Sequence, residues 1–119
     1  MFLETLSQIS NRIGGARALC LVDRDGILVE SVSADSSLDL DLLAAELVAQ
    51  TRSISEDHRD LAVGEVSQLT VSTDRLVLVV SSVGHGYFLL LVMEPDGGLG
   101  RARFELRRAR LELEDELAV

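Results

Sequence analysis

The residues that could do chemistry in this chain are few and lie far apart. Its 119 residues include one cysteine, Cys20, and two histidines, His58 and His85. A metal site needs several histidine, cysteine or carboxylate ligands at workable spacing, which these three residues do not offer. Cys20 lies in the apolar run of residues 18–22, where a thiol behaves as a small hydrophobic side chain. We therefore predict no metal, no cofactor and no catalytic residues.

Two glycine-containing segments could bind an ion, but each is better explained as a turn. Residues 23–26 (Asp-Arg-Asp-Gly) begin like a calcium loop and lack the later glutamate that such a loop requires. Residues 97–100 (Gly-Gly-Leu-Gly) open a helix whose N-terminus could cradle an anion, but they lack the Gly-x-Gly-x-x-Gly spacing. The first segment predicts a tight hairpin turn, and the second predicts a strand-to-helix turn.

The charged residues exclude several classes of partner and reaction. The net charge is −9, whereas binding to nucleic acid needs a basic surface, so we predict no nucleic-acid partner. The chain contains no lysine, which excludes Schiff-base chemistry and a phosphate-loop lysine. The arginine cluster in the last predicted helix is typical of a helix face exposed to solvent. On that face, Arg108 can pair with Glu112 and Arg110 can pair with Glu114. An acidic partner, or an arginine donated to a nucleotide, is the alternative use of this cluster.

Hydrophobic periodicity predicts a single α+β domain over residues 1–119. Helices are expected at residues 2–13, at residues 39–54 and from residue 99, and strands at residues 18–22, 27–32, 64–72, 76–80 and 87–92. The order α-β-β-α-β-β-β-α is typical of a five-stranded antiparallel sheet with helices on both faces. The last two strands are apolar on both faces and should lie at the centre of the sheet. The half-polar strand at residues 64–72 should then lie at an edge.

The apolar stretch of residues 76–93 could be mistaken for a membrane span. Its middle, residues 81–86 (Ser-Ser-Val-Gly-His-Gly), has the composition of a turn. Two buried strands joined by a hairpin therefore explain the stretch better than a membrane helix does. The chain also begins without the basic start and apolar core of a signal peptide, so the expected location is the cytoplasm.

The second helix is predicted to be apolar on two opposite faces. At about 100° per residue, the first stripe consists of Leu40, Leu43, Ala44, Leu47, Thr51 and Ile54. A second stripe, roughly opposite, consists of Leu42, Ala45 and Ala49. A surface helix of a small domain needs only one apolar stripe to face its core. The second stripe therefore predicts association with another helix, most simply that of a second copy, and its alanines permit a close approach.

The strand at residues 64–72 could extend the same contact. Glu65 is its only charged residue and it contains no proline, so its sequence does little to protect a free edge from pairing. A two-fold dimer could then join helix to helix and edge to edge, which would give one continuous sheet across both subunits.

By this combination of elements and motifs, the chain resembles the roadblock (dynein light chain) family, and within it the bacterial MglB-like regulators of small Ras-like GTPases. The likeness covers essentially the whole length and rests on residues 13–16 (Ile-Gly-Gly-Ala), 21–29 (Leu-Val-Asp-Arg-Asp-Gly-Ile-Leu-Val), 43–45 (Leu-Ala-Ala), the strand entry at Gly64, residues 86–92 (Gly-Tyr-Phe-Leu-Leu-Leu-Val) and 99–103 (Leu-Gly-Arg-Ala-Arg). The joint pattern carries the resemblance, since no single motif is diagnostic.

The resemblance implies a homodimer joined by the second helix and the third strand, with a small GTPase seated across the paired helices. MglB-like members accelerate GTP hydrolysis by reshaping the GTPase's own switch elements, whereas other roadblock proteins only scaffold GTPases or motor subunits. On this view, the dimer seam consists of Leu42, Ala45, Ala49, Ser67, Leu69 and Val71. The surface offered to the GTPase consists of Glu46, Gln50, Arg52 and Ser53.

Alternatives from other classes are also open. A small-ligand sensor of the profilin-, PAS- or GAF-like type has a similar sheet and helices, but it usually needs a cavity lined by aromatic or polar groups. The chain holds three Phe, one Tyr and no Trp, which makes a sensor less attractive. An enzyme is disfavoured by the missing lysines and the scattered histidines. Within the family, a non-catalytic scaffold for a GTPase or motor complex is the alternative to an activator.

Overall fold

The computed structural model describes residues 2–84 and 86–117, except for the side chains of residues 57–60. Within this range the elements are α1 (Phe2–Asn11), β1 (Ala16–Asp23), β2 (Leu28–Ser33), α2 (Leu40–Asp60), β3 (Gln68–Ser72), β4 (Val77–Val83), β5 (Tyr87–Met93) and α3 (Leu99–Leu117). The predicted α+β class and the predicted order of the elements are confirmed.

The five strands form one antiparallel sheet in the order β2-β1-β5-β4-β3. β5 is central, since Leu91 lies opposite Leu19 of β1 on one side and opposite Val79 of β4 on the other. Both strands that are apolar on two faces therefore lie inside the sheet, as predicted, because this position removes the most apolar surface from water. β3 lies at one edge, also as predicted, and β2 lies at the other.

Alternate residues of the strands form two cores on opposite faces of the sheet. α1 and α3 cover the first face, where Leu6 and Leu106 belong to the same core as Leu91. α2 covers the second face, where Val48 belongs to the same core as Leu90. Because neighbouring residues of a strand point to opposite faces, Leu90 and Leu91 lie in different cores. The prediction of helices on both faces is confirmed, and α2 is the sole helix on its side in the described part of the chain.

α2 is longer than predicted. The predicted helix ends at Ile54 and is followed by a polar break over residues 55–61, whereas α2 continues to Asp60. No glycine or proline interrupts residues 55–60, and polar residues can continue a helix wherever its sides are solvated. The helix ends shortly before the backbone becomes left-handed, with φ of 56° at Ala62 and 93° at Gly64.

Two strand boundaries differ from the prediction by more than two residues. β3 begins at Gln68 rather than at residue 64, because the φ of 93° at Gly64 does not fit a strand. β4 continues to Val83, so Ser81 and Ser82 belong to the strand instead of the turn, where they pair with β5. The turn that joins β4 to β5 is correspondingly shorter than expected.

The apolar stretch of residues 76–93 forms two antiparallel strands, as predicted. β4 and β5 pair along their whole length, from Val77 opposite Met93 to Val83 opposite Tyr87. Among the residues that the structure describes, no helix has the length and apolar composition needed to cross a membrane.

A buried carboxylate links the two helices of the first face, and no sequence pattern predicts it. Glu105 of α3 is fully buried. The Arg12 Nε donates a hydrogen bond to Glu105 Oε2 at 2.9 Å, and Arg12 Nη2 donates to Glu112 at 3.0 Å. Arg101 and Arg108 lie 3.4 and 3.9 Å from the same buried carboxylate. This network joins the segment after α1 to the middle of α3.

Candidate functional site: the exposed face of helix α2

A capping residue sets where α2 begins. The Asp39 Oδ1 accepts a hydrogen bond from the backbone N–H of Leu42 at 3.1 Å, which satisfies a donor that the start of a helix leaves free. Asp41 lies in the first turn, where the helix dipole favours negative charge. The start of the helix agrees with the prediction, so the predicted angular positions of its side chains can be compared directly with the structure.

The first stripe of α2 faces the sheet, as predicted. Its members are all buried or half-buried: Leu40, Leu43, Ala44, Leu47, Thr51 and Ile54. The Thr51 hydroxyl donates a hydrogen bond to the carbonyl oxygen of Leu47 at 2.8 Å, so its polar atom is satisfied inside the core. Val48, which is absent from the predicted stripe, is only 2% exposed and belongs to the same core. It widens the buried face beyond the prediction.

The second stripe is exposed. Leu42 leaves 65% of its surface open to solvent, and Ala45 and Ala49 are also exposed. Their spacing of three and seven residues places them on one side of the helix. Leu42 is a large apolar side chain that its own protomer leaves uncovered. The two alanines beside it allow another helix to approach closely, because the distance between packed helices depends on the side chains at the contact.

Polar residues surround this stripe. Glu46, Gln50, Arg52 and Ser53 are all exposed. The Arg52 Nη1 donates a hydrogen bond to the carbonyl oxygen of Arg24 at 3.1 Å, which links α2 to the turn between β1 and β2. The side chains of Glu46, Gln50 and Ser53 make no hydrogen bond or ion pair with any residue that the structure describes. They are therefore available to a partner.

The turn between β1 and β2 packs against α2. The Asp23 Oδ1 accepts hydrogen bonds from the backbone N–H groups of Asp25 at 2.9 Å and Ile27 at 3.0 Å, which closes the predicted hairpin turn. Gly26 has a φ of 84°, and a Cβ atom there would lie 3.0 Å from the Cα of Ala45. Ile27, next to this contact, is 62% exposed and adds an apolar side chain that the prediction omits. In the sequence, the only sign that Ile27 belongs to this surface is its position directly after a turn.

The strand residues of the predicted seam differ in exposure. Leu69 and Val71 are half-buried and pack against the core that α2 covers, so they lie on the same face of the sheet as α2. Ser67 is exposed and lies just before β3, and its carbonyl oxygen accepts a hydrogen bond from the Ser82 N–H at 2.9 Å. β3 pairs with β4 alone, so its outer edge carries no strand within the described residues.

Cys20 has no role as a nucleophile in this structure. Its side chain is buried, and burial together with the charge of Asp41 raises the pKa of the thiol to about 12. The reactive thiolate therefore does not form near neutral pH. The side chains of His58 and His85 lie outside the described residues. Elsewhere in the described part of the chain, no three His, Cys, Asp or Glu residues come together as a metal site would require.

The glycine-rich segment before α3 forms the predicted strand-to-helix turn. The N–H of Gly97 donates to the carbonyl oxygen of Glu94 at 3.1 Å, and the N–H of Ala102 donates to that of Gly98 at 2.9 Å as the helix begins. A Cβ at Gly97 would lie 2.6 Å from Met93 Cε, at the end of a flexible side chain, and 3.2 Å from the carbonyl oxygen of Glu94, so the site leaves little room for a larger residue.

Comparison with known proteins identifies the fold. The family model described as the Roadblock/LC7 domain matches residues 2–93. A Roadblock/LC7 domain from Streptomyces avermitilis has a TM-score of 0.88 at 19% identity and covers 98% of this chain and 97% of that chain. The gliding protein MglB from Thermus thermophilus has a TM-score of 0.85 at 23% identity, with coverage of 94% and 84%. MglC from Myxococcus xanthus has a TM-score of 0.69 at 30% identity, with coverage of 95% and 96%. No curated protein matches the chain.

Proposed function

This chain belongs to the Roadblock/LC7 family, and from that premise we propose that it is a homodimeric regulator of a small Ras-like GTPase. In this proposal the dimer binds the GTPase and modulates its GTP hydrolysis, and the protein contributes no catalytic residue of its own. The observation that carries the proposal is the exposed stripe of Leu42, Ala45 and Ala49, opposite the buried face of α2. The likeness to MglB and MglC supports the regulatory role, because MglB-like roadblock proteins act on GTPases.

A two-fold dimer would use both parts of the predicted seam. Pairing α2 with α2 of a second copy would remove the 65% of Leu42 that is exposed from water, which contributes about 1–2 kcal/mol per copy. The outer edge of β3 would gain backbone hydrogen bonds from its counterpart, and Leu69 and Val71 would lose their remaining exposure. One interface would therefore cover the apolar stripe of α2 and also supply hydrogen-bonding partners to the free edge of β3.

The polar residues of α2 would form the surface offered to the GTPase. Glu46, Gln50 and Ser53 are exposed and without partners among the described residues, whereas Arg52 is held by the carbonyl oxygen of Arg24. Because a regulator must bind and release its target, a polar surface suits the contact better than a large apolar one. Ile27, at the end of the neighbouring turn, would add one apolar contact at the margin of this surface.

Molar mass in solution tests the dimer. Light scattering on a size-exclusion column should give a mass near twice 12.9 kDa. Ala49→Glu should weaken dimerisation at least about a hundredfold, because it would bury an unpaired carboxylate in the seam. Ala34→Glu makes the same substitution at an exposed loop position and should leave the mass unchanged. If Ala49→Glu stays dimeric at low micromolar concentration, the seam does not lie on α2.

Phosphate release from purified Ras-like GTPases of the same genome tests the regulatory role. We expect the wild-type protein and Ala34→Glu to accelerate single-turnover GTP hydrolysis, and Ala49→Glu to have lost this effect. Gln50→Arg should lower the effect while the protein remains dimeric, because it changes only the exposed surface. Binding to a GTPase without acceleration would instead identify a scaffold. Absence of binding to every candidate GTPase would contradict both roles.

A further inference from the structure

The outward face of α3 carries two large apolar side chains that the protomer leaves exposed. Phe104 is 52% exposed and Leu111 is 68% exposed. They are seven residues apart and therefore share one side of the helix, away from the buried side formed by Leu106, Ala109 and Leu113. α3 packs on the face of the sheet opposite α2, so these residues belong neither to the proposed dimer seam nor to the proposed GTPase surface.

Most charges around these two residues have partners inside the protomer. Both ion pairs predicted from the four-residue spacing are present: Arg110 lies 2.9 Å from Glu114, and Arg108 lies 4.0 Å from Glu112. Arg108 also lies 3.9 Å from the buried carboxylate of Glu105. These charges are largely balanced within the helix and its neighbours.

Two charges on the outward face are exceptions. Arg107 and Asp115 are exposed, and neither makes a hydrogen bond or an ion pair with any residue in the described part of the chain. They lie four residues before and four residues after Leu111, a spacing that places all three on one side of the helix. An exposed leucine is thus centred between an unpaired positive charge and an unpaired negative charge.

We propose that this face is a second self-association surface, in which α3 packs antiparallel against α3 of a second copy with the two-fold axis at Leu111. About such an axis, the residue four positions before Leu111 lies opposite the residue four positions after it in the other copy. Arg107 of each copy then meets Asp115 of the other, and the two Leu111 side chains contact each other. The contact is independent of the proposed function, because α2 and α3 cover opposite faces of the sheet.

The order of charges favours a second copy over other occupants. An acidic partner or an anionic membrane would attract Arg107, but it would repel Asp115. A basic partner would attract Asp115 and repel Arg107. A surface with the opposite order of charges satisfies both residues, and an antiparallel α3 presents that order. Because the apolar centre is small, we expect a weak interaction with a Kd on the order of 100 µM.

A charge-exchange experiment tests the pairing. Arg107→Asp alone and Asp115→Arg alone each place like charges opposite one another at two symmetric positions, so each should raise the Kd of this contact at least about tenfold. The double variant Arg107→Asp/Asp115→Arg restores the pairs with exchanged signs, and its Kd should return to within about threefold of the wild-type value. Sedimentation velocity over a dilution series measures these constants. Leu111→Asp should abolish the contact.

The Ala49→Glu background separates this contact from the seam proposed on α2. With the α2 contact disrupted, any remaining dimer reports α3 alone, and Arg107→Asp should convert that dimer to monomer. If the α2 seam is wrong and the α3 contact is right, Ala49→Glu leaves the self-association unchanged while Arg107→Asp removes it. Asp96→Arg reverses an exposed charge in the turn before α3 and is the matched control, for which we expect no change.

Several outcomes would overturn the proposal. Self-association that is unchanged in both Arg107→Asp and Leu111→Asp would show that the contact lies elsewhere. A double variant that stays as weak as the single variants would show that Arg107 and Asp115 do not meet. Flotation with phosphatidylserine-containing vesicles tests whether this face binds an anionic membrane instead. If the protein binds the vesicles through Arg107 and does not self-associate, the face is a membrane-binding surface. Far-ultraviolet circular dichroism verifies that these exposed substitutions leave the fold intact.

Discussion

Replacing Gly26 by alanine measures how tightly the turn between β1 and β2 holds α2. The φ of 84° at Gly26 costs an L-residue about 1 kcal/mol relative to glycine. The added Cβ would also lie 3.0 Å from the Cα of Ala45, a backbone atom that cannot move unless α2 moves with it. Relieving such an overlap in a packed site costs about 1–3 kcal/mol. We therefore expect Gly26→Ala to lower the free energy of unfolding by about 2–4 kcal/mol.

Gly64→Ala is the matched control for this prediction. Gly64 has a φ of 93°, but a Cβ there would meet no atom within 4 Å, so this substitution incurs the backbone cost alone. Urea denaturation at one fixed protein concentration compares the two variants, since self-association would otherwise shift the midpoints. The free energy of unfolding falls by about 1–3 kcal/mol per molar urea. The unfolding midpoint of Gly26→Ala should therefore lie about 1 M urea below that of Gly64→Ala. Equal midpoints would refute a tight contact between the turn and α2.

Two further predictions concern buried groups. Arg12→Met removes the 2.9 Å partner of the buried Glu105 carboxylate and should cost about 2–3 kcal/mol of unfolding free energy. Arg110→Met, which removes only an exposed pair with Glu114, should cost less than about 1 kcal/mol in the same urea titration, and equal losses would contradict the role of Glu105. Burial raises the pKa of the Cys20 thiol from 9.0 to about 12, so the unfolded chain releases this proton at a lower pH than the folded chain does. Stability should therefore fall as the pH rises above about 9, and the fall should be shallower in Cys20→Ala; parallel pH profiles would show that the thiol does not contribute.

The periodicity of single segments was enough to predict most of the surface proposed for binding. Leu42, Ala45 and Ala49 recur at helical spacing on the side opposite Ala44 and Leu47, and the structure leaves the first three exposed and buries the other two. This prediction succeeds because the angle between two side chains of a helix depends only on their separation along the chain. Whether a second copy covers the exposed stripe is a property of the assembly, which the mass measurement addresses.

The helix and strand ends were predicted less well, because they depend on backbone conformation. A loss of apolar periodicity after Ile54 suggested a break, but a solvated helix needs no apolar residues to continue, and α2 runs to Asp60. Similarly, the alternating pattern near Gly64 suggested a strand, whereas its left-handed backbone delays β3 to Gln68. A hydrophobic pattern reports which side chains are buried and carries little information on a residue whose neighbours are all solvated.

The sequence by itself determined the order of the elements, the edge position of β3 and the two faces of α2, since each follows from residue spacing or composition within one segment. Only the tertiary structure decided the features that join distant segments. Glu105 can be buried because Arg12 reaches it from the other end of the chain, and a side chain at Gly26 would crowd the backbone of Ala45. These contacts depend on how α1, α2 and α3 pack on the sheet, and the local spacing of residues does not predict that packing.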